Sequence, residues 1–197
     1  MNLVLGLSFF LAILVSCGKT SQTEVKVFKF NIQSNPNEKS KIQALMRDYN
    51  LKMGFTALSE AQPGEDANSE IVISKGLTLR NPGKVGFGSW TADTQSKGAC
   101  SLCVPTDKET DYSMHTQFDA EFFDKRMNSK DPADQTELST LFMHEIGHGL
   151  TMDHSARKDS VMYSEISCLD RSSATCGKDI GMYLETARHF FSSTGNL

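Results

Sequence analysis

Residues 144–154 read His-Glu-Ile-Gly-His-Gly-Leu-Thr-Met-Asp-His, three imidazoles and a carboxylate within one short run. On a helix, His144 and His148 emerge from one face, a turn apart. That spacing lets two ring nitrogens reach one zinc ion at about 2.0–2.1 Å each. Glu145 points to the neighbouring side of the same turn, where a carboxylate can hold a metal-bound water without becoming a ligand. His154 follows beyond a helix end expected near Gly149 and can swing back as a third nitrogen ligand. Three neutral imidazoles leave one tetrahedral position open, which is the arrangement of a catalytic zinc. The chemistry such a set supports is hydrolysis by a metal-activated water. Zinc lowers the pKa of bound water from about 16 to about 7, and Glu145 takes the proton and passes it to the leaving group.

A lone histidine on an amphipathic helix is ordinarily a core or surface residue, so the neighbours decide. Leu138, Leu141, Phe142 and Ile146 give the helix an apolar side that docks on a core and leaves one edge for the metal. The run Ser160-Val161-Met162-Tyr163 then places a methionine shortly after His154. HEIGHGLTMDHS followed by VMY resembles the metzincin zinc peptidases, and within them the matrixin branch, whose pattern is HExxHxxGxxHS and then a Met-turn. The resemblance implies that His144, His148 and His154 are the zinc ligands, that Glu145 is the general base, and that Met162 is the methionine beneath the metal. Upstream, Glu70-Ile71-Val72-Ile73 is similar to the family's third strand, and Gln117-Phe118-Asp119 resembles its His-Phe-Asp segment. Likeness extends over most of residues 25–192 and is closest over 138–163. It implies an α+β fold, a mixed five-stranded sheet over three main helices, acting as a monomer on a protein or peptide substrate.

The chain departs from the family pattern at several places. The family glycine seven residues after the first histidine is Thr151, and a β-branched residue at positive φ is a real outlier. Either Gly149 takes the left-handed position instead or His154 is displaced. Gln117 stands where many matrixins place a ligand for a second, structural zinc, so one catalytic Zn2+ and no structural one is expected. Asp119 keeps one family calcium position but Phe122 replaces a second carboxylate, which makes Ca2+ doubtful. A cysteine-switch propeptide has no room between the export signal and the first strand.

That signal is residues 3–15, LVLGLSFFLAILV, an uncharged apolar run too short for a comfortable membrane span. Leu14-Val15-Ser16-Cys17 resembles the bacterial lipobox, in which the cysteine becomes the first mature residue and carries lipid. The organisation expected is a signal peptide over 1–16, a lipidated tether over 17–24 and a peptidase domain over 25–197. Gly18 after the cysteine implies passage to the outer membrane of a bacterial cell envelope, with membrane contact through the lipid only. An ordinary signal peptide or a buried hydrophobic strand are the other readings of this segment, whose start lacks Lys and Arg.

A mature chain of about 180 residues is enough for one domain with one sizeable core. Net charge of −4 without a Lys/Arg stripe argues against a nucleic-acid partner. Beyond Cys17, four cysteines remain: Cys100, Cys103, Cys168 and Cys176. In an exported protein they suggest two disulfides with three pairings. Local pairs, Cys100–Cys103 and Cys168–Cys176, need no meeting of two loops, whereas cross-pairing closes longer rings and stabilises more. A four-cysteine zinc site is the competing reading, disfavoured by the long gap between Cys168 and Cys176.

Periodicity supplies the scaffold. Residues 25–32 alternate as a strand, Asn35-Pro36-Asn37 breaks it, and Ile42, Leu45, Met46 and Tyr49 mark an amphipathic helix over 38–51. Short strands are expected at 55–58 and 71–74, and a glycine-rich edge strand along which a peptide can lie at 85–91. An irregular loop is expected over 92–111 and a last strand over 113–118. Asp134 with Glu137 reads as a variant capping box starting the zinc helix. Ile180, Tyr183, Leu184, Ala187 and Phe190 mark a closing helix. Tyr163 and residues 164–178 are placed to line a substrate pocket, while His115 and His189 read as surface or core residues. Two other function classes stay open: a lipid-anchored binding protein on a degenerate protease fold, and a zinc amidase acting on cell-wall peptides.

Overall fold

The computed structural model describes residues 27–80, 84–97, 107–164 and 179–194. Residues 1–16, Cys17, Cys100, Cys103, Cys168 and Cys176 lie outside them, so the lipidation and disulfide expectations are not addressed by the fold.

The chain opens with strand β1 (Phe28–Gln33), whose alternate residues Phe28, Phe30 and Ile32 are buried. Helix α1 (Pro36–Met53) follows at once. The Asn35-Pro36-Asn37 break is the helix start itself: Asn35 accepts from the Asn37 and Glu38 backbone N–H groups, and Glu38 accepts from the Asn35 N–H at 2.9 Å. That reciprocal box, with Pro36 inside the first turn, satisfies orphan donors at the helix start. Gly54 ends the helix at φ 84°. Asn50 then ties the helix end to the next strand, accepting from Ala57 and Leu58 N–H and donating to the Leu58 carbonyl at 2.8 Å.

Strands β2 (Leu58–Glu60) and β3 (Ser69–Ser74), the single-turn helix α2 (Leu77–Arg80), and strands β4 (Gly86–Lys97) and β5 (Asp107–Asp119) complete the sheet. Its order is β2-β1-β3-β5-β4, parallel throughout except for the antiparallel β4–β5 pair. The sheet is thus mixed and five-stranded, with β4 on an edge. Residues 92–97 and 107–111 are not irregular. They continue the hairpin from Gly86↔Phe118 out to Lys97↔Asp107, well past the start of β3. The backbone ladder is continuous over these residues, and the sequence there has no apolar rhythm to reveal it.

Helix α3 (Ala120–Met127) was not legible as a helix. Asp119 is its N-cap: Oδ1 accepts from Glu121 and Phe122 N–H, and Oδ2 accepts from the N–H and hydroxyl of Thr78. Burial alone would raise this carboxyl, but the four hydrogen bonds outweigh it and hold it below the ordinary carboxylate range. The residue that matches a family calcium position therefore spends Oδ1 on the helix cap and Oδ2 on Thr78.

Helix α4 (Pro132–Gly149) starts at Asp131, which accepts from Ala133 N–H at 2.9 Å, rather than at an Asp134–Glu137 box. Glu137 instead forms a buried ion pair with Arg126 of α3 at 2.8 Å, and Asp134 accepts from the Ser129 hydroxyl. The Asp131–Pro132 step offered a better start than the one expected, because proline pre-sets the first turn and needs no N–H there. Helix α5 (Ile180–Thr194) closes the domain. It buries Tyr183, Leu184, Ala187 and Phe191, with Phe190 only partly covered.

The core lies between the sheet and the long helices. Phe28, Phe30, Ile71, Met114 and Phe118 meet Ile42, Leu45 and Tyr49 of α1 and Leu138, Leu141 and Phe142 of α4. Phe118 stacks on Phe142 with centroids 6.1 Å apart. On the other face, His115 bonds Glu70 at 2.5 Å and Gln117 pairs with Phe87 across the hairpin, while His189 is exposed on α5. Among the described residues, no helix is long and apolar enough to cross a membrane.

Candidate active site

The last turn of α4 positions the site. Thr151 N–H donates to the His148 carbonyl at 3.1 Å, and Met152 N–H donates to the Gly147 carbonyl at 2.9 Å. This pair of bonds is the Schellman closure, which requires a left-handed residue just past the helix end. That residue is Thr151 itself, at φ 67°. Among the described residues it is the one non-glycine at positive φ. Gly149 stays helical, so the left-handed position has not moved onto it. The chain reverses where the family pattern reverses, at the backbone cost of a β-branched side chain, on the order of 1–2 kcal/mol.

The reversal does two further things. It turns the Met152 carbonyl onto His148, which bonds it through Nδ1 at 2.9 Å. It also returns His154 to the helix, so that His148 Nε2 lies 3.1 Å from His144 Nε2 and 3.1 Å from His154 Nε2. All three potential ligand atoms fall within 4.8 Å of one another. His144 is oriented from the other side, its Nδ1 bonding the Val161 carbonyl at 2.8 Å.

Because a carbonyl can only accept, both Nδ1 atoms carry the proton and both Nε2 atoms keep a lone pair. Two lone pairs facing each other at 3.1 Å repel unless a cation lies between them. A tetrahedral ion with nitrogens at about 2.0–2.1 Å would hold them about 3.3 Å apart. The three rings thus fit one zinc, with backbone carbonyls fixing the tautomer of two of them.

The matrixin family matches residues 84–180, a stretch that contains all three histidines, Glu145 and Met162. The chain carries a matrixin-like metallopeptidase domain. No curated protein matches it. The family is zinc-dependent, in keeping with the donor set of this matrixin-like domain.

Beneath the histidines the domain is close-packed. Met162 is buried, and a Cβ added to Gly147 would lie 2.4 Å from its sulfur, so the thioether rests directly on the helix between His144 and His148. Tyr183 of α5 supports the same turn, donating to the Met143 carbonyl at 2.6 Å. The Met-turn is held to the His154 segment by Ser155 N–H, which donates to the Met162 carbonyl at 2.8 Å, and by a parallel bridge between Ser155 and Tyr163. Arg157 braces the intervening loop against Asp159 and Asp179, each at 3.0 Å.

Burial and the two neighbouring imidazoles press the His144 pKa down to about 4, although its bond to Val161 works the other way. His148 is lowered as well, first by burial. Neutral imidazole, the ligating form, is therefore dominant at neutral pH. Burial pushes the Glu145 carboxyl up to about 8, against the opposing ammonium of Lys84. A dication beside Glu145 would act in the same direction as Lys84.

The structure thus brings together His144, Glu145, His148, His154 and Met162. Tyr163 is half-buried beside them, and its companion segment 165–178 lies outside the described residues. Missed from sequence were the Val161 and Met152 carbonyls and Gly147. Carbonyls leave no residue-type signal, but a glycine between two histidines of one helical turn is a mark of close packing that could have been read.

Proposed function

We propose that this domain is a zinc-dependent endopeptidase with Glu145 as its general base. The observation that carries this reading is the convergence of three Nε2 atoms within 4.8 Å beside the buried Glu145 carboxylate. His144, His148 and His154 would hold zinc, which when bound acidifies the attacking water and polarises the scissile carbonyl. Glu145 accepts the water's proton and delivers it to the departing amine. Strand β4, on the sheet edge, offers its outer backbone groups to an extended peptide, a pairing that gives affinity without side-chain preference. The hydrogen bonds from His144 to Val161 and from His148 to Met152 hold both rings in the ligating tautomer throughout turnover. Met162 moves no proton and keeps the floor of the site dry and filled. The same proposal places the mature protein on a bacterial envelope, lipidated at Cys17.

The test is metal content by mass spectrometry with a chelator-sensitive digestion of a broad peptide library. The wild-type domain binds one zinc, and Glu145→Ala keeps that zinc while losing about 10²–10⁴-fold in hydrolysis. Undiminished turnover in Glu145→Ala rejects the base assignment. Zinc retained at full stoichiometry by both His144→Ala and His148→Ala rejects the ligand set. Cleavage of muropeptides with casein left intact favours the amidase instead, and an unmodified Cys17 in the exported protein refutes the anchor.

A further inference from the structure

Strand β4 meets α4 at two glycines. Gly86 and Gly88 lie two residues apart and so share one face of the strand, the face turned to the helix. A Cβ on Gly86 would fall 2.3 Å from Glu145 Oε1, 2.7 Å from its Cδ and 2.9 Å from its Cγ. A Cβ on Gly88 would fall 2.2 Å from the Glu145 carbonyl oxygen and 2.9 Å from its carbonyl carbon. Neither glycine is at positive φ, so backbone freedom is not what either position uses. Both positions need the absence of a side chain, and both need it because of the same partner residue.

We propose that Gly86 is a positioning residue for the catalytic carboxylate: its bare Cα is the seat in which the Glu145 side chain rests, while Gly88 sets the strand-to-helix distance that brings the seat within reach. This rests on the reading of Glu145 as the base. The two glycines divide the task. The three atoms nearest a Cβ on Gly86 belong to the Glu145 side chain, whereas those nearest a Cβ on Gly88 belong to its backbone. A methyl group at 86 therefore displaces the carboxylate from the edge along which substrate lies, and one at 88 pushes the whole strand off the helix.

The experiment is a cycle of melting temperatures on the metal-free full chain, combining Gly86→Ala and Gly88→Ala with Glu145→Ala. At an unstrained strand position Gly→Ala raises stability slightly by restricting the unfolded chain, so the overlap predicts the opposite sign. Gly86→Ala lowers Tm by about 3–8 °C in the wild-type background. It leaves Tm unchanged or raises it by about 1–2 °C when Glu145 is already alanine. Gly88→Ala lowers Tm in both backgrounds, because Glu145→Ala leaves the backbone oxygen in place. With zinc restored, Gly86→Ala keeps stoichiometric metal and loses about 10²-fold in kcat, with KM within threefold. An equal drop in Tm for Gly86→Ala in both backgrounds overturns the proposal, as does full kcat in Gly86→Ala. If Gly86→Ala fails to fold alone, folding of the Gly86→Ala/Glu145→Ala chain supports the seat and its failure overturns it. The Tm cycle reads the contact even if the wild-type chain cleaves no peptide, so the seat and the proposed activity fail separately.

Discussion

Two helices of this domain end in a left-handed residue, and they do it with opposite chemistry. Gly54 closes α1 at φ 84°, where a Cβ would meet nothing within 4 Å, and Thr151 closes α4 at φ 67°. At Gly54 the local sequence suffices, since glycine adopts the conformation without steric cost. At Thr151 the local sequence opposes the turn. What offsets the cost is the His148–Met152 bond across the turn itself and, from farther along the chain, the Ser155–Met162 bond and the packing of Met162 on Gly147. The α1 end is self-specified, whereas the histidine-bearing α4 end needs additional contacts, with backbone strain persisting where the surroundings over-determine it.

Removing the metal should separate the two ends most strongly. For zinc at a hundredfold over its Kd, binding contributes about 2.7 kcal/mol, so a chelator should lower Tm by about 5–10 °C. Amide exchange should then accelerate at Thr151, Met152 and Ser155 while the Gly54 N–H, bonded to Asn50, keeps its protection. Equal loss of protection at both ends would abolish the distinction. Placing the α4 end's residue at the α1 end is the next largest change. Gly54→Thr should cost about 1–2 kcal/mol, or about 3–6 °C, because nothing around Gly54 rewards the strained turn. Thermal unfolding with unchanged activity is the readout.

The reciprocal change should be smaller and of opposite sign. Thr151→Gly relieves the left-handed cost but admits a more flexible unfolded chain, for a net gain of about 0.5–1 kcal/mol, or about 1–3 °C. Zinc content should stay at one per chain, and a lower Tm would mean that the Thr151 side chain contributes something the turn geometry does not reveal. Thr151→Asn should fall between the two, within about 1 °C of wild type, since asparagine tolerates the left-handed region better than threonine. Differential scanning calorimetry of the metal-free variants ranks all three.

The boundary between legible and hidden follows the same division. The histidine spacing, the apolar stripe of α4 and the strand alternation of β1 are short-range patterns, and each appears in the structure where its residues said it would. The start of α4 was misplaced by one turn because Glu137 resembles a capping residue, whereas its partner is Arg126 on another helix. Helix α3 stayed hidden because Asp119 read as a metal position, though an Asp before AEFFDKRM is also an N-cap followed by a basic last turn. The outer half of the β4–β5 hairpin carries no apolar rhythm for a pattern to find.

Sequence alone determined which atoms could do the chemistry: two imidazoles a helical turn apart, a carboxylate between them, a third imidazole beyond the turn and a methionine after it. Side-chain type and helical period suffice for that, because both are properties of a few consecutive residues. Only the tertiary structure decided that Thr151 would accept a left-handed backbone, that the Val161 and Met152 carbonyls would fix the tautomers of His144 and His148, and that Glu145 would lie against two bare glycines. All but the Met152 contact, which the turn itself makes, depend on the approach of a separate backbone segment to within a few ångströms. Carbonyl groups are present at every residue, so no local pattern in the chain singles out the ones that the fold will bring to the site.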